Sequence, residues 1–116
     1  MVDRCGNIFA MPLEAPGPEE FFEDLLVDPS SGVRVERIIS HGHSTGDGEW
    51  LCQAEAEWVV LVQGAATLVF EDTGEQVDLG AGDWIYIAPL RRHRVVSTSV
   101  EPPCVWLAVH GVGRGS

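Results

Sequence analysis

A chain of 116 residues, 45% of them hydrophobic and including four Trp and four Phe, has the apolar mass for one closed core and lacks the composition of a disordered segment. Eighteen acidic against seven basic residues give a formal charge of −11; such a surface repels a phosphate backbone, whose binding is carried by Lys and Arg, so no nucleic-acid partner is expected. No apolar run reaches the roughly 18 residues that span a bilayer and no basic segment precedes an apolar one at the N-terminus, so no membrane contact and a cytoplasmic location are expected; the odd trio Cys5, Cys52 and Cys104 signals neither a disulfide framework nor a structural zinc.

Residues 1–17, with Asn7-Ile8-Phe9-Ala10 and then two prolines, read as an arm over a larger body. It is placed to add an edge strand to its own sheet or to a partner's, which makes a homodimer the expected assembly. Phe21, Phe22, Leu25 and Leu26 suit a short helix, yet the turn Asp28-Pro29-Ser30-Ser31-Gly32 that follows suits a hairpin, and the strand is the preferred reading. Residues 33–40 alternate, with Val33, Val35, Arg37 and Ile39 on one face and Arg34, Glu36, Ile38 and Ser40 on the other. His41 and His43 extend the first face.

A Gly-rich crossing leads to residues 49–53 and the turn Ala54-Glu55-Ala56. Residues 58–62 are an apolar central strand ended by Gln63-Gly64, residues 65–71 its expected hairpin partner, and Asp72-Thr73-Gly74 a tight turn before residues 75–79 return. Gly82-Asp83 opens the next strand, Pro89 halts it, and His93 begins another that continues through Val95 and Val96. A proline cannot donate to a β ladder and belongs at such a corner. After Glu101-Pro102-Pro103 the last strand is Cys104–His110, and 111–116 read as a loose tail. About nine short strands with turns between them make an all-β antiparallel barrel or jelly roll over residues 18–110. A barrel of that size either fills its interior or holds one small ligand at its mouth.

Alternation puts Glu57, Val59 and Leu61 on one face, and His93 and Val95 on another. If the apolar members line the interior, Glu57 and His93 stand at the mouth as an acid/base pair or as metal ligands. The only basic cluster, Arg91, Arg92 and Arg94, surrounds His93; it is either a solvated corner or a carboxylate-binding rim, with Arg91 as the candidate. Trp50, Trp58, Trp84, Tyr86 and Trp106 either wall a ligand pocket, with Trp50 and Tyr86 as contacts, or belong to core or dimer face. His110 reads as structural or exposed.

The stretch from Gly82-Asp83 through Trp84-Ile85-Tyr86-Ile87-Ala88-Pro89 to His93 resembles the second motif of the cupin superfamily, and Glu57 with Gly64 resembles the end of the first. The two matches with their spacing cover about half of the chain. The resemblance implies a small single-domain cupin with a double-stranded β-helix. The usual proline is displaced by one to Pro89, the following Gly is Leu90, and the usual Asn after the histidine is Ser97.

Metal-holding cupins carry His-x-His shortly before the Glu, where this chain has Trp50-Leu51-Cys52-Gln53. The resemblance therefore implies a divalent Mn, Fe, Ni or Zn ion on Glu57 and His93, completed by Gln53 or by His41 or His43. Cys52 is expected as a small half-buried side chain. The functions that follow are a metal-dependent enzyme of dioxygenase, isomerase or lyase type acting on a small organic acid or sugar derivative, a metal-free small-molecule-binding module, or a metal-free enzyme with Glu57 and His93 as acid and base.

Overall fold

The alternating segments become eight strands and no helix in the computed structural model, which describes residues 5–13 and 15–111. They are β1 (Phe21–Val27), β2 (Arg34–Ser40), β3 (Glu57–Gln63), β4 (Ala66–Phe70), β5 (Gln76–Leu79), β6 (Trp84–Ile87), β7 (His93–Thr98) and β8 (Cys104–His110). Every pairing is antiparallel. A five-stranded sheet in the order β1-β2-β8-β3-β6 faces a three-stranded sheet in the order β5-β4-β7, which is the jelly roll expected.

Inward side chains at alternate positions make the core. Val59 and Leu61 of β3, Leu68 and Phe70 of β4, and Trp106 and Ala108 of β8 form one buried cluster with Ile87. Each fully buried Leu or Phe contributes roughly 1.5–3 kcal/mol through apolar area removed from water. At one end of the sandwich the same inward rows turn polar, at Glu57, His93 and His110.

Several expectations are corrected. Eight strands form rather than nine, because residues 49–53 contribute only a single bridge, Leu51 to His93. Strand β4 is not the hairpin partner of β3: β3 pairs with β6 and β8, and β4 with β5 and β7. Between them Gly64, with φ of 100°, turns the chain from one sheet to the other.

The arm adds no strand among the described residues. It lies against the outside of β2, where the buried Arg37 donates to the carbonyls of Ile8 and Ala10 at 3.1 and 2.7 Å. Gly111 is buried and donates to Ala56 O at 3.2 Å rather than starting a loose tail; residues 112–116 lie outside the described ones.

Candidate functional site

Register builds the polar end of the sandwich. On β8, Trp106, Ala108 and His110 share the inward face. Glu57 of β3 lies directly opposite His110, and Glu36 of β2 opposite Ala108. Three neighbouring strands thereby bring two carboxylates to one imidazole. His110 Nε2 donates to Glu36 Oε1 at 3.0 Å and stands 3.9 Å from Glu57 Oε2. His110 Nδ1 is buried without a partner among the described residues.

Glu57 is 8% exposed. Burial raises its pKa above the ordinary carboxylate value, opposed by the nearby imidazoles of His110 and then His93, and reinforced by Glu36. The Gln53 amide donates to Glu57 Oε1 at 3.4 Å. Gln53 is held in place by its own carbonyl, which accepts from Leu90 N at 2.7 Å. Leu90, where the resemblance puts a glycine, keeps the left-handed conformation with φ of 64°.

His93 comes from the opposite sheet as the first residue of β7 and is 4% exposed. Two backbone hydrogen bonds with Leu51, of 2.7 and 3.1 Å, fix its main chain. Its Nδ1 lies 2.9 Å from Arg91 O. A carbonyl only accepts, so Nδ1 carries a proton, and Nε2 of the neutral ring keeps a lone pair. Glu57, His93, His110, Glu36 and Gln53 line one cavity of about 390 Å³ with an apolar floor that includes Val59, Leu68 and Trp106.

The other expected site residues lie elsewhere. His41 N donates to His43 Nδ1 at 2.7 Å, and His43 Nε2 donates to Pro18 O at 3.2 Å, so both ring nitrogens of His43 are engaged away from the cavity. His41 does not line it either, since both histidines continue the outward face of β2 rather than the face of Glu36 and Ile38.

Arg91 turns outward, with its guanidinium 3.7 Å from the Phe70 ring centroid and paired with Asp72 at 3.2 Å. Trp50 lies under Arg94, and Tyr86 is exposed on the edge strand β6, opposite Trp58. Cys52 is exposed rather than half-buried. Of the aromatic residues singled out, Trp106 alone lines the cavity. The residues missed by sequence reasoning are His110 and Glu36, and the even spacing of Trp106, Ala108 and His110 was the signal for the first.

Comparison with known proteins decides the family. A family model described as Cupin domain matches residues 38–110, more than half of the chain. The chain belongs to the cupin family.

A protein of Ralstonia eutropha JMP134, provisionally assigned as a mannose-6-phosphate isomerase, superposes on this cupin with a TM-score of 0.84 and 37% identity over 93% of this chain and 97% of its own. A Rhizobium leguminosarum protein of unknown function matches with a TM-score of 0.70 and 15% identity over 95% and 97% of the two chains. A cupin superfamily protein of Desulfitobacterium hafniense DCB-2 matches with a TM-score of 0.67 and 16% identity over 84% and 81%. The last two share the fold. No curated protein matches the chain.

Cupins often bind metals, and the donor set here tests whether this one is built to. The positions of His-x-His hold either Leu51 and Gln53 or Trp50 and Cys52, and among the described residues no three His, Cys, Asp or Glu side chains are grouped as a metal ion needs. Glu36 and Glu57 are turned toward His110. His, Cys, Asp and Glu alone do not assemble a divalent site among the described residues; such a site would have to enlist Gln53 beside Glu57 and His93.

Proposed function

We propose that this cupin binds a small organic molecule in its sandwich cavity and moves a proton on it, with Glu57 and His93 as acid and base and no protein-held metal. The observation that supports this reading is a carboxyl from the five-stranded sheet and an imidazole from the three-stranded sheet opening on one apolar cavity. Burial favours the protonated form of Glu57, the form that can donate a proton. His93 Nε2, with its lone pair, is the acceptor. Two such groups on facing walls can take a proton from one side of a ligand and return it at the other. That is isomerase or lyase chemistry, in keeping with the isomerase assignment of the Ralstonia relative.

A metal-dependent enzyme is the second reading, favoured by Gln53, Glu57 and His93 lining the same cavity. Metal analysis of the full chain, purified without chelator, separates the two. The expected result is far less than one Mn, Fe, Ni or Zn per chain, unchanged in His93→Ala. One equivalent of metal that disappears in His93→Ala overturns the metal-free reading.

A further inference from the structure

We infer that the ligand of this cavity is a small organic cation, carrying a primary ammonium group on a compact body, and is neither a phosphate ester nor a carboxylate. The inference rests on the cavity being the binding site, as proposed above. Its charged lining among the described residues is Glu20, Glu36, Glu49 and Glu57, with no Arg, and the chain has no Lys at all.

The described arginines do not line the cavity and are already paired: Arg34 with Asp24 and with the lining Glu36, Arg37 with Glu23, Arg91 with Asp72, Arg92 with Glu71 and Arg94 toward Asp47. Glu20 takes a hydrogen bond from Ser40 Oγ, and neither Glu20 nor Glu49 has an ion-pair partner among the described residues. An anion entering this space meets the carboxylates of Glu20 and Glu49, which no cation among the described residues offsets, and finds no Arg or Lys, only the imidazoles of His93 and His110.

Hydrogen-bond polarity points the same way, independently of charge. His93 is 4% exposed, its Nδ1–H is spent on Arg91 O, and its Nε2 has no partner among the described residues. The residue lines the cavity. The groups the two walls present, His93 Nε2 and the Glu57 carboxyl oxygens, one of which also takes the long contact from Gln53, are acceptors. An ammonium group supplies three N–H donors and a positive charge to satisfy them, while the apolar floor of Val59, Leu68 and Trp106 covers the body of the ligand.

The test is an NMR titration of the full chain with two matched series: cyclohexylmethylamine, cyclohexylmethanol and cyclohexanecarboxylate, then glucosamine, glucose and glucose 6-phosphate. The expected result is that at least one of the amines shifts the resonances of Glu57, His93 and His110, binding about tenfold or more tightly than its uncharged partner, with no shift from the anions. Glu57→Gln, close in shape to the original, removes that preference, and exposed Glu49→Gln reduces it without changing stability. Tighter binding of cyclohexanecarboxylate or glucose 6-phosphate at these residues overturns the cation assignment and leaves the cavity as the site. So does an amine preference that survives in Glu57→Gln. If no probe of either series moves these residues, both the assignment and the cavity as a binding site fall.

Discussion

His110 Nε2 lies 3.0 Å from Glu36 Oε1 and 3.9 Å from Glu57 Oε2, so a single imidazole on β8 ties together carboxylates from the strands on either side of it. All three side chains are largely buried, at 6%, 13% and 10% exposure. Truncating the imidazole takes the shared partner from two buried carboxyls, leaving Glu36 only Arg34 and Glu57 only the long contact from Gln53, and the cost of such a lost buried partner is about 1–3 kcal/mol. His110→Ala is expected to lose that much stability in urea unfolding, and His110→Gln, which keeps a donor, markedly less. Equal losses in the two variants would mean that the side chain is filling space rather than bridging.

Glu57 sets a pH dependence whose sign follows from its environment. Burial, the largest influence, holds its folded pKa above the ordinary 4.5; His110 and His93 pull it down, Glu36 pushes it up, and Arg34 pulls weakly down. The folded protein therefore binds this proton more tightly than the unfolded chain does. Its stabilising contribution is fully present below the ordinary value and is lost as pH rises through the window up to the raised folded value. Thermal unfolding followed between about pH 4 and 8 is expected to show wild type falling relative to Glu57→Gln across that window and running parallel to it above. A wild-type protein that instead gains on the variant there would put the carboxyl in a polar, solvated setting.

Much of this pocket is legible in the sequence, and what is not has a geometric cause. Glu57 and His93 stand out because period-two alternation carries each into a row of apolar neighbours that must face inward. The jelly roll follows from strand spacing and turn residues. Strand β2 misleads, because its face with Val35 and Ile39 is turned outward, toward the arm that Arg37 holds down, while Glu36 and Ile38 face the cavity. His41 and His43 follow the outward face. His110 meets Glu57 only through the β3–β8 register, a pairing between distant segments that no local pattern encodes. The hairpin expected between β3 and β4 failed for a related reason: the chain crosses between the two sheets after β3, so these consecutive strands lie in opposite sheets.

The Arg91 guanidinium, stacked on Phe70 and paired with Asp72, serves the wall rather than the cavity. Arg91 is partly exposed and Asp72 largely so, and the carboxyl of Asp72 is held below its ordinary range by the hydrogen bond from Arg91. Arg91→Ala is therefore expected to cost no more than about 1 kcal/mol. Affinity for the tighter of the two amine probes is expected to change by less than about twofold, since the side chain does not line the site. Calorimetric titration of the variant checks this, and a large loss of affinity would place Arg91 at the ligand after all.

Gly64 connects the two sheets where a side chain has no room. Its φ is 100°, and a Cβ there would stand 2.8 Å from Cys104 Sγ, 2.8 Å from Ser99 Oγ and 2.9 Å from Cys104 Cα. The contact with Cα is with the backbone of β8, which cannot step aside without disturbing the strand that ends in His110. Gly64→Ala combines left-handed strain with this overlap, and a loss of roughly 1–3 kcal/mol is expected in denaturant unfolding. Because the crossover lies at the far end of β3 and β8 from Glu57 and His110, the defect should lower stability while leaving amine affinity at saturating fold largely intact. An affinity loss in Gly64→Ala without a stability loss would show that the packing of β8 against β3 is transmitted along the strand to the acidic end of the cavity.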